Sequence, residues 1–494
     1  MRSTFSGLNA LTRGIYANQI ALDTVGHNIS NANTEGYSRQ LASIVSTRPE
    51  TLYGEYGPMQ LGTGAAVEAV TRARDSFIDR QFWQENSSLG YGETATEILS
   101  KIEGVFREPS EYGLQTVLNN FWQAWQTLST NASDDGARAA LQQRGVELVN
   151  AIGHAAQQLK DMVADINSVV EIKVNKVNQI TSEILSLNKQ IALIETGGRD
   201  HANDLRDRRD LLVDQLSTLV GVTVTEDKYG NYIVRTGNVL LVDGNTRNEL
   251  GVVSQKDSDY GYEVYNVVYG GTVPSGSRFM QGGTAVVFPE GNKGEIKGLL
   301  AMRDATGVKG YLDKLATMSQ FFLTDFNSLH RDGYGLADTA TGNDFFVTGG
   351  ASPATKAEYL QAFTSSTIVD TALIAARSDV AMGVASGDHA VALSNLLKTV
   401  TSPTLDNATL DSYYNAFIGK LGVQSQDAKR LAENQKTLVS QIRNWRESVA
   451  GVNMDEEMTN MIRYQQGYNA AARVVTAIDE MLDKLINGTG VVGR

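Results

Sequence analysis

The chain has 494 residues, more than one hydrophobic core holds, so two to four domains are expected. A formal net charge of −13 argues against a nucleic-acid backbone as partner, and the absence of cysteine excludes disulfides, cysteine-held zinc and thiol catalysis. Hydrophobic residues make up 41%, enough for folded domains, yet no run approaches ~18 consecutive apolar residues, so no membrane insertion is expected.

The N-terminus has no basic segment leading into an apolar one, so a Sec-type signal is not expected. Leu8, Leu11, Ile15, Leu22, Val25 and Ile29 recur at three-four spacing and predict a first helix, with Asn18 as its polar break. A polar, turn-forming stretch follows from Ser30 to Gln40, and residues 41–72 read as extended. Helix resumes near Asp75, and two further helices are predicted over 93–106 and 112–130.

The longest periodic tract runs from about Arg138 to Glu195, with Val149, Ile152, Ala156, Leu159, Val163, Ile166, Val170, Lys173, Val177, Ile180, Ile184, Leu187, Ile191 and Ile194 on one stripe. Such a rod would be ~80–90 Å long. Its stripe is expected to pack on helices near 425–449 and 297–330. Gln157, Lys160, Asn167, Lys176 and Asn178 should then lie on an outer polar face. Gly197-Gly198 should end the rod. In the charged helix that follows, Asp204/Arg208 and Arg206/Asp210 are spaced to pair across a turn.

From Val220 to about residue 297 short β-rich runs alternate with turns such as Tyr229-Gly230-Asn231 and Asp243-Gly244-Asn245, which predicts an inserted β domain. Helix returns at Lys297 and continues, with a break near Gly307–Gly310, to His330. Residues 333–375 read as loops anchored by Phe345-Phe346. Helices are predicted over 388–399, 408–419 and 425–449, the last with Leu431, Leu438, Ile442, Trp445 and Val449 as its apolar stripe and Gln435 interrupting.

The final helix begins at Asn453, a capping residue, with Glu456 placed for a capping box. Met461, Tyr464, Tyr468, Ala471, Val475, Ile478, Leu482 and Leu485 form its seam, and Asn487-Gly488 should stop it. Matched seams at the two ends predict paired terminal helices with the middle of the chain looped out. The fold class is therefore mainly α with an inserted β domain: an elongated, multi-domain subunit with a long helical-bundle rod. Its expected domains are residues 1–40 with 452–494, 41–219 with 298–451, and 220–297.

Catalytic patterns are missing from the sequence. No histidine pair has metal-ligand spacing, and there is no nucleophile elbow or phosphate loop. Gly488 to Gly493 matches G-x-G-x-x-G but follows a helix and precedes none, so it is not a dinucleotide fingerprint. No cofactor is expected, and the chain reads as a non-enzyme.

Leu8-Asn9-Ala10, then Ile29 to Gln40, resembles the N-terminal signature of the bacterial flagellar axial proteins, the class of rod, hook and hook-associated subunits. Val452 to Glu457 and Tyr464 to Val474 resemble the other end of that class. Arg463-Tyr464-Gln465-Gln466 and Asn203-Asp204-Leu205-Arg206-Asp207-Arg208-Arg209-Asp210-Leu211-Leu212-Val213 are similar to the hook-associated protein 1 family, the first junction proteins between hook and filament. The resemblance covers both termini and much of the helical middle. It implies a structural subunit exported by the flagellar type III apparatus and assembled as a short ring through its terminal helices. The partners it implies are copies of itself, hook protein on one side, a second junction protein on the other, and an export chaperone at the C-terminal helix. The alternatives are another axial protein of hook or rod type, or a secreted adhesin or enzyme on a helical stalk.

Overall fold

The longest element is a single helix, α4 (Asp135–Glu195), whose side chains at three-four spacing are buried almost without interruption from Leu141 to Ile191. At 61 residues it is ~90 Å long. Asp134 caps it by accepting the Ala137 amide at 2.9 Å. The predicted Gly197-Gly198 stop lies outside the described residues. The computed structural model describes residues 6–54, 57–106, 108, 113–196, 200–289, 291, 293–350 and 352–488.

The chain opens with α1 (Ser6–Asn31), followed by β1 (Gln40–Ser46), the hairpin β2 (Glu50–Gly54) and β3 (Gly57–Leu61), and β4 (Ala65–Arg72), which pairs antiparallel with β1. Then come α2 (Ser76–Phe106), α3 (Leu114–Thr130), α4 and α5 (Asn203–Leu219). The β-rich region holds a four-stranded sheet of β5 (Thr223–Glu226), β6 (Tyr232–Thr236), β7 (Val239–Asp243) and β8 (Thr246–Arg247). It also holds a three-stranded sheet of β9 (Leu250–Lys256), β10 (Glu263–Tyr269) and β11 (Thr284–Ala285).

Helices α6 (Glu295–Arg303) and α7 (Val308–Phe321) follow, and a π-helical turn, Phe322–Phe326, leads into α8 (Asn327–Arg331). The predicted loop region contains β12 (Phe346–Val347), α9 (Lys356–Thr364) and β13 (Thr367–Ile368). Helix α9 was not expected there. Thr355 and Glu358 close a full capping box at its start. The chain ends with α10 (Asp388–Lys398), α11 (Leu410–Ala450) and α12 (Met454–Gly488). Residues 489–494, which carry the rest of the G-x-G-x-x-G match, lie outside the described residues.

Three expectations change. Helix α2 is continuous where two helices were predicted. Gly90 and Gly92 are contact points and do not break it: a Cβ on Gly90 would lie 2.5 Å from the Thr218 carbonyl of α5, and one on Gly92 would lie 3.3 Å from Ala432 of α11. Helix α11 is likewise one helix, and its buried face is Ala432, Val439 and Ile442, while Leu431, Leu438, Trp445 and Val449 are exposed. The close approach at Gly92 brings small Ala432 inward and turns the predicted stripe to the edge. The α4 stripe packs on α3, α5, α6 and α7, whereas α11 pairs with α2. Within that stripe Lys173 forms an ion pair with Glu295 (2.6 Å), and Ile194 is exposed.

The β region lies along α4, fixed by three asparagines. Asn167 donates to the Glu263 carbonyl (2.6 Å) and accepts from the Tyr265 amide (3.1 Å). Asn178 bonds both the carbonyl and the amide of Leu250, and Asn188 both those of Tyr232. Each amide side chain takes up a strand's open donor and acceptor. Asn167 and Asn178 were expected on the outer polar face, and they face the strands instead.

At the end of the rod far from the termini, Phe121, Trp125, Phe322, Phe326, Phe345, Phe346 and Phe363 form a buried aromatic core. His330 lies against it. The Ala375 amide donates to its Nε2 (3.0 Å), so Nδ1 carries the proton and donates to the Asn343 carbonyl (2.7 Å). Burial pushes its pKa down from 6.5 to about 4. A base depressed in the folded state gives stability that is full above pH 6.5 and is lost as pH falls to about 4. The loss amounts to ~3 kcal/mol. Thermal midpoints measured across this window should fall in the parent chain and flatten in His330→Asn.

Candidate functional site: the terminal helix pair and its joint

Helices α1 and α12 run antiparallel. Asn28 of α1 meets Glu457 of α12 (3.1 Å), and ten residues along α1 Asn18 faces Gly467. A Cβ at Gly467 would lie 2.8 Å from Asn18 Oδ1, so the polar break in one seam is matched by a glycine in the other. Val25 is buried in the N-terminal seam, while Leu8, Leu11, Ile15, Leu22 and Ile29 are half-buried. In the C-terminal seam Met461, Tyr464, Ala471, Val475, Ile478 and Leu482 are half-buried, and Tyr468 and Leu485 are exposed. Beside these seams Tyr16, Ile20, Met454, Met458, Ile462, Val474 and Met481 are exposed. Two helices alone do not cover this much apolar surface.

The pair is attached to the rod through the turn after α1. Asn28 bonds both backbone groups of Gln40 (2.9 Å each) and accepts the Tyr37 hydroxyl (2.7 Å). Arg39 bridges Glu457 (2.7 Å) and Glu456 (3.0 Å), and its amide donates to the Ala450 carbonyl (2.8 Å). The capping box expected at Glu456 is therefore replaced by this ion pair, and Asn453 alone caps α12 by accepting the Asp455 and Glu456 amides.

Behind the turn lies a buried charge cluster. Its acidic side comes mostly from α5, where Asp207, Asp210 and Asp214 sit at three-four spacing on one face. Arg72 meets Asp207 and Asp210 (2.7 Å each), and Arg74 meets Asp79 (2.8 Å) and Asp210 (3.3 Å). Arg446 of α11 meets Asp79 (3.0 Å) and Asp214 (2.8 Å). Asp207 also accepts the Ser38 amide, Asp214 the Trp83 indole and Asp210 the Tyr232 hydroxyl. The cluster joins β4, α2, α5, α11, the turn after α1 and the β region.

Burial drives the Asp210 carboxyl up, but Arg74, Arg72 and the Tyr232 hydroxyl outweigh it and hold it at about 2. Burial wins at Asp207 and Asp214, whose pKa values are raised despite their arginines. The predicted α5 pairs across a turn are absent: Arg206 holds Glu195 and Glu226, Asp210 holds Arg72 and Arg74, and Asp204 accepts from Gln40 and contacts His27. Partners from other elements lie closer than the neighbouring turn.

Residues 99–346 match the family described as "Flagellar hook-associated protein FlgK helical domain". Residues 447–488 match "Flagellar basal body rod FlgEFG protein C-terminal", and residues 8–37 match "Flagella basal body rod protein". The chain is 34% identical to flagellar hook-associated protein 1 of Bacillus subtilis, over all of both chains. The chain belongs to the flagellar hook-associated protein 1 family. It is 27% identical to the Salmonella typhimurium member, over 97% of this chain and 99% of that one. The solved structure of the flagellar hook junction protein from Burkholderia pseudomallei shares the fold, with a TM-score of 0.63 at 17% identity, over 75% of this chain and all of that one.

The sequence reading of this family member missed the joint. Asn28, Arg39, Arg72, Arg74, Arg446 and Glu457 carry no apolar period, so a search for seams passes over them. One signal was available. Asn203, Asp207, Asp210, Asp214 and Ser217 form a polar stripe with the spacing of a buried face.

Asp210→Asn should lower stability by ~3–5 kcal/mol in urea titrations at neutral pH, since it leaves arginines short of a buried partner. An acid depressed in the folded state gives stability above pH 3.8 that is lost as pH falls to about 2. The parent chain should show that loss, reduced by Asp207 and Asp214, whose raised values act in the opposite sense. The variant should lack the Asp210 contribution.

Proposed function

We propose that the chain is a structural, non-enzymatic subunit of the bacterial flagellum that joins hook to filament. Its terminal helices form the assembly core. The observation that carries this reading is the terminal pair itself: it is fixed at one end to a buried joint, yet its seams are half-covered and flanked by exposed apolar side chains. Neighbouring copies in a short ring would supply the missing cover. Hook protein meets the ring on one side and a second junction protein on the other. Before that, the chain leaves the cytoplasm through the flagellar type III apparatus, with an export chaperone holding the C-terminal helix.

The domain division that fits this role keeps residues 1–40 with 452–494 as the assembly domain and 220–297 as the β-rich domain. It moves 41–72, which run beside α1, from the rod to the assembly domain. The remainder, 73–219 with 298–451, is the rod.

Val475→Asp places a carboxylate in the middle of the C-terminal seam. Burying it unpaired on assembly costs several kcal/mol. In a strain lacking its own copy, this variant should leave hooks without filaments and filament protein in the medium, with the thermal midpoint of the purified chain unchanged. Normal filament growth would exclude the seam as the assembly core. Hydrogen exchange on the free subunit should be slow at the joint and progressively faster along α1 and α12 towards Leu8 and Leu485. Uniformly slow exchange over both helices would contradict assembly-coupled ordering.

A further inference from the structure

Helix α11 buries one face against α2 and presents a second apolar line to solvent. Leu431 is 61% exposed, Leu438 45%, Trp445 49% and Val449 40%. The first three are seven residues apart, the repeat of a helix seam, and the line runs ~27 Å along the helix. Beside it on the same side Asn434, Gln441 and Ser448 are exposed and uncharged, and charge borders it only at its start, where Arg430 pairs with Asp427 (2.9 Å). An apolar line with a mostly uncharged border and a tryptophan in it has the composition of an interface core. A solvated helix edge in a chain of net charge −13 would carry charge there.

We propose that this edge of α11, from Leu431 to Val449, is a second assembly surface, packed in the flagellum against a neighbouring copy of this chain. The inference rests on the ring reading above and extends it from the terminal helices to the rod. Two observations select a second copy as the occupant. The edge runs along the flank of the rod, and in a ring the flank meets another copy, whereas other proteins meet the ends. Across the Gly451–Asn453 link α12 carries its own exposed apolar line, Met454, Met458 and Ile462, so a copy seated on the start of α12 adjoins this edge in the chain.

The test uses full-length chain in flagella of a strain lacking its own copy, with a photo-crosslinking residue at Trp445 and, separately, at Val475. The natural chain has no cysteine, so a disulfide cannot mimic an adduct. An adduct from Trp445 at twice the 53.5 kDa chain mass supports the proposal. An adduct only at other masses, or none, overturns it. If Val475 gives a copy–copy adduct and Trp445 does not, this inference fails while the ring reading stands. If neither does, both fail. As a second arm, Leu438→Gln/Trp445→Gln should keep the parent's thermal midpoint, both residues being exposed, and lose filament growth. Full filament growth in that variant overturns the proposal.

Discussion

Three arginines and four aspartates from β4, the link after it, α2, α5 and α11, buried or largely shielded, fix the shape of this subunit. Arg72, Arg74 and Arg446 face Asp79, Asp207, Asp210 and Asp214. Burying so many charges is costly, and only close, well-directed contacts offset the lost hydration. That cost makes the cluster selective. A greasy joint would tolerate small rotations, because hydrophobic burial has no direction. Arg74 cannot stay paired with both Asp79 and Asp210 if α2 and α5 shift past each other. The joint therefore ties the terminal pair to the rod at a defined angle, which a subunit placed between two tubes requires.

The same logic recurs along the molecule in neutral form. Asn28, Asn167, Asn178, Asn188 and Asn327 each sit on or beside a helix and bond both a carbonyl and an amide of an extended segment. Helices and strands have no natural way to share backbone hydrogen bonds, and an open strand edge is a liability. A helix-borne asparagine solves both problems at one point. Three of the five lie on α4, so the β region is held against the rod along its length. The subunit's stiffness then has two sources: apolar packing along α4 and directed polar contacts at its flank and base.

The apolar periodicity of the sequence was enough to read α1, α4 and α12, because each carries a single stripe: the α4 stripe is buried along most of its length, and those of α1 and α12 half-bury each other. It misled at α11. There two stripes lie side by side, and the one with larger residues, Leu431, Leu438 and Trp445, is the exposed one. Sequence pattern ranks stripes by size, whereas packing chose the smaller Ala432 because α2 approaches closely at Gly92. Helix α2 was read as two pieces, and the gap between them holds Gly90 and Gly92, which admit α5 and α11 and leave the helix continuous. The joint was least legible. Its partners lie far apart in the chain, as Arg39 and Glu457 do, and no local spacing records a contact between them.

The buried charge cluster sets the angle between terminal pair and rod. The direct measurement is a distance distribution by pulsed electron resonance between spin labels at Gln19→Cys on α1 and Asn175→Cys on α4, both exposed, in an otherwise cysteine-free chain. One narrow distance is predicted in the parent background, broadening when Asp207→Asn and Asp210→Asn are added while helix content is retained. An equally narrow distance in both backgrounds would contradict the account, and so would a broad distribution in the parent.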